Sequence, residues 1–183
     1  MFLSKKVHKN RSLGVFCSPS GTALAVMEGA RESCPRVSHC TLLPPDQQIE
    51  DYVNSNFLRN SACVDILSSG HYHLIQVDLQ GVKDEEKREA ARWQIRELID
   101  YPAEEAVIDL LEVPVVGESG MYRTFVVTAP IAELKARTVE LIAAELHLEA
   151  IDIPEFAIRN LLELYQEESR GLCLLWIREE SGL

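Results

Sequence analysis

No apolar run in this 183-residue sequence approaches the roughly 20 residues needed to span a bilayer. The lysines near the N-terminus are not followed by the apolar stretch of a secretory signal. Cysteine is sparse and unpatterned. Cys17, Cys34, Cys40, Cys63 and Cys173 are odd in number and include no CxxC pair, which argues for reduced thiols in a cytoplasmic protein. Positive charge is also scarce, with 18 basic residues against 29 acidic ones and a net charge of −11. General nucleic-acid binding needs a basic face that displaces counterions, so it is excluded. No GxSxG elbow is present, and no Ser-His-Asp or Cys-His set can be nominated. There is no internal repeat and no low-complexity tract.

What is present is a soluble α/β composition, 46% hydrophobic and 26% charged. The first eleven residues, Met1–Arg11, hold Lys5, Lys6, Lys9 and Arg11 and no acid. The rest of the chain therefore carries 14 basic against 29 acidic residues, a net of −15. This basic segment, with Phe2 and Leu3, could touch anionic headgroups at about 1 kcal/mol per basic residue. The alternative is a solvated tail.

Periodicity and turn residues give the element order. Leu13–Cys17 and Thr22–Glu28 read as strands about the turn Ser18-Pro19-Ser20-Gly21, and Arg36–Leu43 as a third strand. Asp46 can cap a helix with Ile49, Tyr52, Val53 and Phe57 on one face, and Cys63–Leu67 is a fourth strand. His71–Leu79 alternates like a strand and leads into the most distinctive stretch, Lys83–Pro114. There Asp84 can cap a long helix whose apolar face is Ala91, Ile95, Leu98 and Ile99. Glu85 with Arg88 and Glu89 with Arg92 stand at ion-pair spacing, and Pro102 stops the helix. Val107–Val113, apolar on both faces, and Met121–Thr128 read as a hairpin around Gly117–Gly120. Pro130 opens a helix with Leu134, Leu141 and Ile142 inward that ends near Leu146. Leu148–Ile153 is extended. Pro154 opens a helix with Ile158, Leu161, Leu162 and Tyr165 on one face, and Leu172–Arg178 is a last strand. An unpaired last strand invites pairing with a second copy as a homodimer.

This order implies an α/β fold: an actin-like or ribonuclease H-like core of mixed sheet and helices with an inserted small α/β subdomain. The expected division is a basic tail over 1–12, a core over 13–82 and 151–183, and an insert over 83–150.

Three blocks carry a family resemblance: EAARWQIRELIDYPAEEAVIDLLEVP (Glu89–Pro114), TFVVTAP (Thr124–Pro130) and LEAIDIPEFAIRNL (Leu148–Leu161). In order and spacing the chain resembles the PilM family, actin-like and FtsA-related proteins of type IV pilus assembly, and within it the MshI branch of the MSHA pilus. The resemblance covers most of the chain from about Leu13. It implies the first lobe of a two-lobed fold and a cytoplasmic assembly factor peripheral to the inner membrane. Its partners would be the cytoplasmic tail of a PilN-like bitopic membrane protein and other pilus assembly proteins.

The resemblance also locates a place to test for ATP and magnesium, which a two-lobed relative could bind. In relatives the first strand ends in an Asp-x-Gly turn. Here Phe16 stands at the Asp position and Ser18 at the Gly position, leaving Ser18, Ser20, Gly21 and Thr22 as a degenerate phosphate loop or an ordinary hairpin turn. No cofactor is expected for this chain alone, and no catalytic residue is nominated. The rival reading is an actin-like ATPase that needs a second lobe. Asp65 is the lone strand carboxylate, expected near solvent or a helix end, so a two-metal nuclease is rejected. His39, Cys40, Cys63, His71 and His73 do not make a zinc pattern. For the partner tail, the hairpin Val107–Val113 with Met121–Thr128 is expected to border a groove. Trp93 and Phe125 are its candidate contacts, Trp93 either packing across the subdomain junction or extending the core.

Overall fold

A computed structural model of the chain describes residues 8–29, 35–115, 121–162 and 176. Strand β1 (His8–Ser18) pairs antiparallel with β2 (Gly21–Glu28), which pairs antiparallel with β3 (Arg36–Leu43). Helix α1 (Ile49–Ser55) then crosses to β4 (Ser61–Ile66), which lies parallel to β1. The chain next builds a second sheet from β5 (His73–Val77), β6 (Ala106–Pro114) and β7 (Tyr122–Pro130), with helix α2 (Asp84–Ile95) between β5 and β6. Helix α3 (Ile131–Ala143) returns it to the first sheet, where β8 (His147–Asp152) pairs parallel with β4, and α4 (Pro154–Leu162) follows.

The two sheets have strand orders β3-β2-β1-β4-β8 and β5-β7-β6. Three antiparallel strands followed by two parallel ones, entered through β1, is the actin-like, ribonuclease H-like arrangement that the sequence implies. Each sheet owns a core. Leu13, Val15, Leu24, Val26, Leu43, Val53 and Cys63 pack with Leu141 and Leu146 under the first. Val77, Ala91, Ile95, Ala106, Ile108 and Val126 pack between α2 and the second.

The sheets draw the division differently from the sequence. His73–Val77, assigned to the core, belongs to the second sheet, and residues 147–150, assigned to the insert, belong with Ile151 and Asp152 to a strand of the first. Residues 8–12, assigned to the tail, begin β1. Tyr165 and the strand Leu172–Arg178, apart from Trp176, lie outside the described residues.

Several side chains face the other way from their expected positions, and helix ends explain most of them. In α1 the chain turns at Phe57 (φ 55°), so the Leu58 amide bonds Val53 O at 2.9 Å and the Phe57 amide bonds Asn54 O at 3.4 Å. This is a Schellman cap with a non-glycine left-handed residue. It throws Phe57 into solvent, 84% exposed, and buries Leu58 in its place. Helix α3 ends the same way at Glu145 (φ 57°), with Leu146 N to Leu141 O at 3.0 Å, so Leu146 is buried and Ile142 exposed. Helix α2 stops at Ile95, well before Pro102, which leaves Leu98 exposed, and its N-cap is Lys83 rather than Asp84. Gln48 rather than Asp46 precedes α1, and Pro130 is the N-cap of α3 rather than its first residue.

The spaced pairs on α2 are replaced by longer reaches. Arg88 donates to Ile108 O and meets Asp109, and Arg92 donates to the carbonyls of Ala103 and Ala106. Lys87 joins Asp84 and Glu112. These contacts strap the helix to β6. Only one face of β6 is covered, because Val107 and Val113 are exposed.

Candidate functional site

Parallel strands β1 and β4 end side by side, and the first turns of α3 lie over their C-terminal ends. A crevice at this place is where open α/β sheets bind ligands. Here it is a cleft of about 300 Å³ lined by Cys17, Ser18, Ser68, His71, Glu133 and Arg137. Of the four residues of the candidate phosphate loop, only Ser18 is among the lining residues.

The hydroxyls of the loop are turned onto the loop itself. Ser18 Oγ donates to Gly21 O at 3.1 Å and lies 3.0 Å from Ser20 Oγ, and Thr22 Oγ1 lies 3.3 Å from Cys17 Sγ. Gly21 has its own reason to be glycine. Its φ is +134°, and a Cβ there would stand 2.1 Å from Leu43 O on β3. The glycine thus serves a close strand approach. Phe16 sits on the opposite face of β1 from Val15 and packs edge-on against Trp176 at 6.3 Å.

The electrostatics of the cleft also work against an anion. Its cation, Arg137, is committed. Its Nε donates to Asp65 Oδ2 at 2.9 Å and its Nη2 to Asp65 Oδ1 at 2.6 Å, while Nη1 reaches Glu140 at 2.6 Å. Burial alone would lower the Arg137 pKa, but the hydrogen bonds and charge of Asp65 outweigh it and hold the guanidinium above its ordinary value. Asp65 is fully buried on β4, a correction to the expectation that it faces solvent or a helix end. Glu133 adds a further acid, bonded to His71 Nδ1 at 2.9 Å. Burial pushes the Cys17 thiol up, so it stays protonated and poorly nucleophilic. His71 and His73 engage different partners, His73 binding Asp100 at 3.1 Å and lying against Tyr101.

The second candidate surface is the sheet β5-β7-β6. Its inner face carries Thr124, Val126 and Thr128 of β7 and is covered by α2. Alternation puts Leu74, Val107, Leu111, Val113, Phe125 and Val127 on the outer face. Leu74, Val107 and Val113 are exposed and Phe125 half-buried, so this face is open, its apolar side chains interspersed with the exposed Gln76, Asp109 and Arg123.

Trp93 lies elsewhere. It stands on the solvent side of α2, 71% exposed, with the Arg96 guanidinium 5.9 Å from its ring centre. It neither extends the core nor packs across the junction between the sheets. Trp93 and Phe125 are therefore on opposite sides of the second sheet. The period-two alternation of β7 could have signalled this for Phe125. For Trp93 the signal is its place beside Arg92 on the polar arc of α2.

No helix among the described residues is long and apolar enough to cross a membrane. No family model matches the chain, and no curated protein shows significant sequence similarity to it. Solved structures do match. The PilM–PilN type IV pilus biogenesis complex superposes with a TM-score of 0.62 at 24% identity over 84% of this chain and 50% of that one. The cytoplasmic domain of EpsL, an inner membrane component of the type II secretion system of Vibrio cholerae, superposes with a TM-score of 0.58 at 12% identity over 78% of this chain and 57% of that one. The chain thus spans about half the length of the solved structures it matches, and what it shares with them is the fold.

Proposed function

We propose that this chain is a non-enzymatic docking component of a type IV pilus or related secretion platform at the cytoplasmic side of the inner membrane. Its partner on this reading is the cytoplasmic tail of a PilN-like bitopic protein. The likeness to PilM in a PilM–PilN complex supports the partner class. The narrower assignment to the MshI branch of MSHA pili rests on the three sequence blocks between Glu89 and Leu161.

The observation that carries the reading is the open outer face of the second sheet. A three-stranded sheet that leaves Leu74, Val107 and Val113 exposed and Phe125 half-exposed presents apolar surface that a partner segment can bury. An extended tail laid across it would gain apolar contact from side chains two apart on each strand. The cleft below α3 offers no comparable site for chemistry, since its hydroxyls and its arginine are already bonded within the chain.

Titration of the folded protein with a synthetic PilN-like tail peptide tests this. Phe125→Ala and Val107→Asp should each weaken binding at least tenfold, about 1.4 kcal/mol, with far-UV circular dichroism unchanged. Trp93→Ala, on the opposite side, should leave the affinity within about twofold. Wild-type affinity in both folded outer-face variants would remove this face from the interface.

A further inference from the structure

A sheet edge exposes unpaired backbone N–H and C=O groups, and proteins blunt it with charge, short strands or side-chain caps. Among the described residues the edges are β3 and β8 of the first sheet and β5 and β6 of the second. Three of them are blunted. On β6, Arg92 takes the carbonyl of Ala106, Arg88 takes that of Ile108, and the Asp109 carboxylate takes the Leu110 amide. β5 has only five residues, and the Gln94 side chain holds both backbone groups of Asp78 just beyond its end. β8 carries Glu149 and Asp152, so a second copy laid along it would set acid against acid.

β3 lacks these devices over its second half. It contains no acid, and its one formal charge, Arg36, stands at the start, before a bulge at Ser38. After the bulge, His39–Leu43 pairs with β2 without a break. The hairpin fixes the phase of that pairing. Ser18 and Gly21 flank a two-residue turn, so they are a hydrogen-bonded pair, and the alternation then turns Thr22, Leu24 and Val26 toward β3. Their partners Leu43, Thr41 and His39 direct their backbone groups back at β2, in keeping with the close approach of Leu43 O to Gly21. Cys40 and Leu42 therefore point their N–H and C=O outward, where no backbone group among the described residues bonds them. Their side chains lie on the face of the sheet away from the core, beside Phe16, Ala23 and Ala25, with Cys40 exposed and Leu42 59% exposed.

We propose that β3 is a dimerisation edge, pairing antiparallel with β3 of a second copy about a twofold axis at Thr41. The contact is isologous and closes at two copies. In this register Cys40 of each copy exchanges both backbone bonds with Leu42 of the other, and the two Thr41 residues form the non-hydrogen-bonded pair between them. The outward groups of one copy are thus satisfied by the same groups of the other. Leu42 comes against Cys40 of the other copy and extends the apolar strip that Ala23 and Ala25 begin. Arg36 of each copy is carried toward the turn that holds Asp46 in the other, so opposite charges approach at both ends of the joint in a chain of net −11. The contact does not involve the second sheet, so it stands or falls apart from the PilN-like partner.

Sedimentation velocity of the full chain over a concentration series tests it. The weight-average mass should rise to that of two chains and level off. Cys40→Pro deletes an outward amide that the fold does not use, a change edge strands tolerate, and should lower the association constant at least tenfold with far-UV circular dichroism unchanged. Leu42→Lys sets a charge at the joint and should do the same. In a Cys40→Ser background, Thr41→Cys should form a disulfide between the two copies at position 41 on mild oxidation, since non-hydrogen-bonded partners stand about 4.5 Å apart at Cα, within disulfide reach. Val37→Cys in the same background is 57% exposed but far from the axis and should not link to itself. The proposal fails if the chain stays monomeric throughout, or if either folded variant of Cys40 or Leu42 associates like wild type. It fails equally if a dimer forms in which Thr41→Cys links no better than Val37→Cys, which would place the joint on another surface.

Discussion

Asp65, inside the first sheet on β4, is held by Arg137, which reaches it from α3 with two hydrogen bonds. The carboxylate is fully buried and the arginine side chain only 12% exposed, so neither has water to fall back on. Arg137→Met strands the carboxylate and should lower stability by about 3–5 kcal/mol in urea titrations. The double variant Asp65→Val/Arg137→Met should recover most of that loss; if the single change costs under about 1 kcal/mol, the pair is not what fixes α3. The ion pair was not legible in the sequence, because its members are 72 residues apart and no local pattern links them. Cys63, next to it in the core, was legible as an apolar strand residue, and its titration follows. Burial, reinforced by the charges of Asp65 and Glu149, raises its thiol from 9.0 to about 12. A raised folded pKa gives stability that is whole below pH 9 and is lost as pH rises toward 12, since the unfolded thiol ionises first. Cys63→Ala should flatten that alkaline decline in Tm, and Cys63 should resist iodoacetamide at pH 8 while the exposed Cys40 reacts.

The elements themselves were read well where apolar periodicity was long, and their ends poorly. β3 fell at the expected residues, between Pro35 and Pro44, and α2 began one residue from its expected start. The two Schellman caps were missed because the left-handed position holds Phe57 in one and Glu145 in the other. Glycine there would have signalled the stop; without it, the helical spacing ran on and assigned Phe57 and Ile142 inward. Turn chemistry was clearer at Ser18–Gly21, where the hairpin formed as read but the reason for its glycine lay in another strand. Gly21→Ala must accept both a φ of +134° and a contact with Leu43 O, so it should cost well over 1 kcal/mol by thermal or urea unfolding. Gly81, with φ +76° and open space around it, separates the two contributions. Gly81→Ala carries the backbone strain alone and should cost about 1 kcal/mol. Equal losses at the two sites would mean that β2 and β3 separate freely at Leu43.

At the scale of the whole molecule, the order of elements was enough to name the fold, but not to place the boundary between the sheets. A strand such as β5 carries no mark of which sheet it will join; that is decided by β7, about 50 residues later, to which it pairs from His73–Thr128 to Val77–Thr124. The same long-range closure decides whether the cleft at the ends of β1 and β4 can hold a nucleotide. An ATP site needs free donors and net positive potential for the phosphates. This cleft offers Ser18 bonded to Gly21 and Ser20, an arginine bonded to Asp65 and Glu140, and Glu133 at its rim. A ligand present at 100 times its Kd would stabilise the protein by about 2.7 kcal/mol, an easily measured rise in Tm. The expected result with millimolar ATP and magnesium is no saturable rise. A saturable rise that Ser18→Ala removes would reverse the ranking and favour an actin-like nucleotide-binding protein over a docking component. A rise that Ser18→Ala leaves intact would place the nucleotide elsewhere and leave the chemistry of this cleft as described.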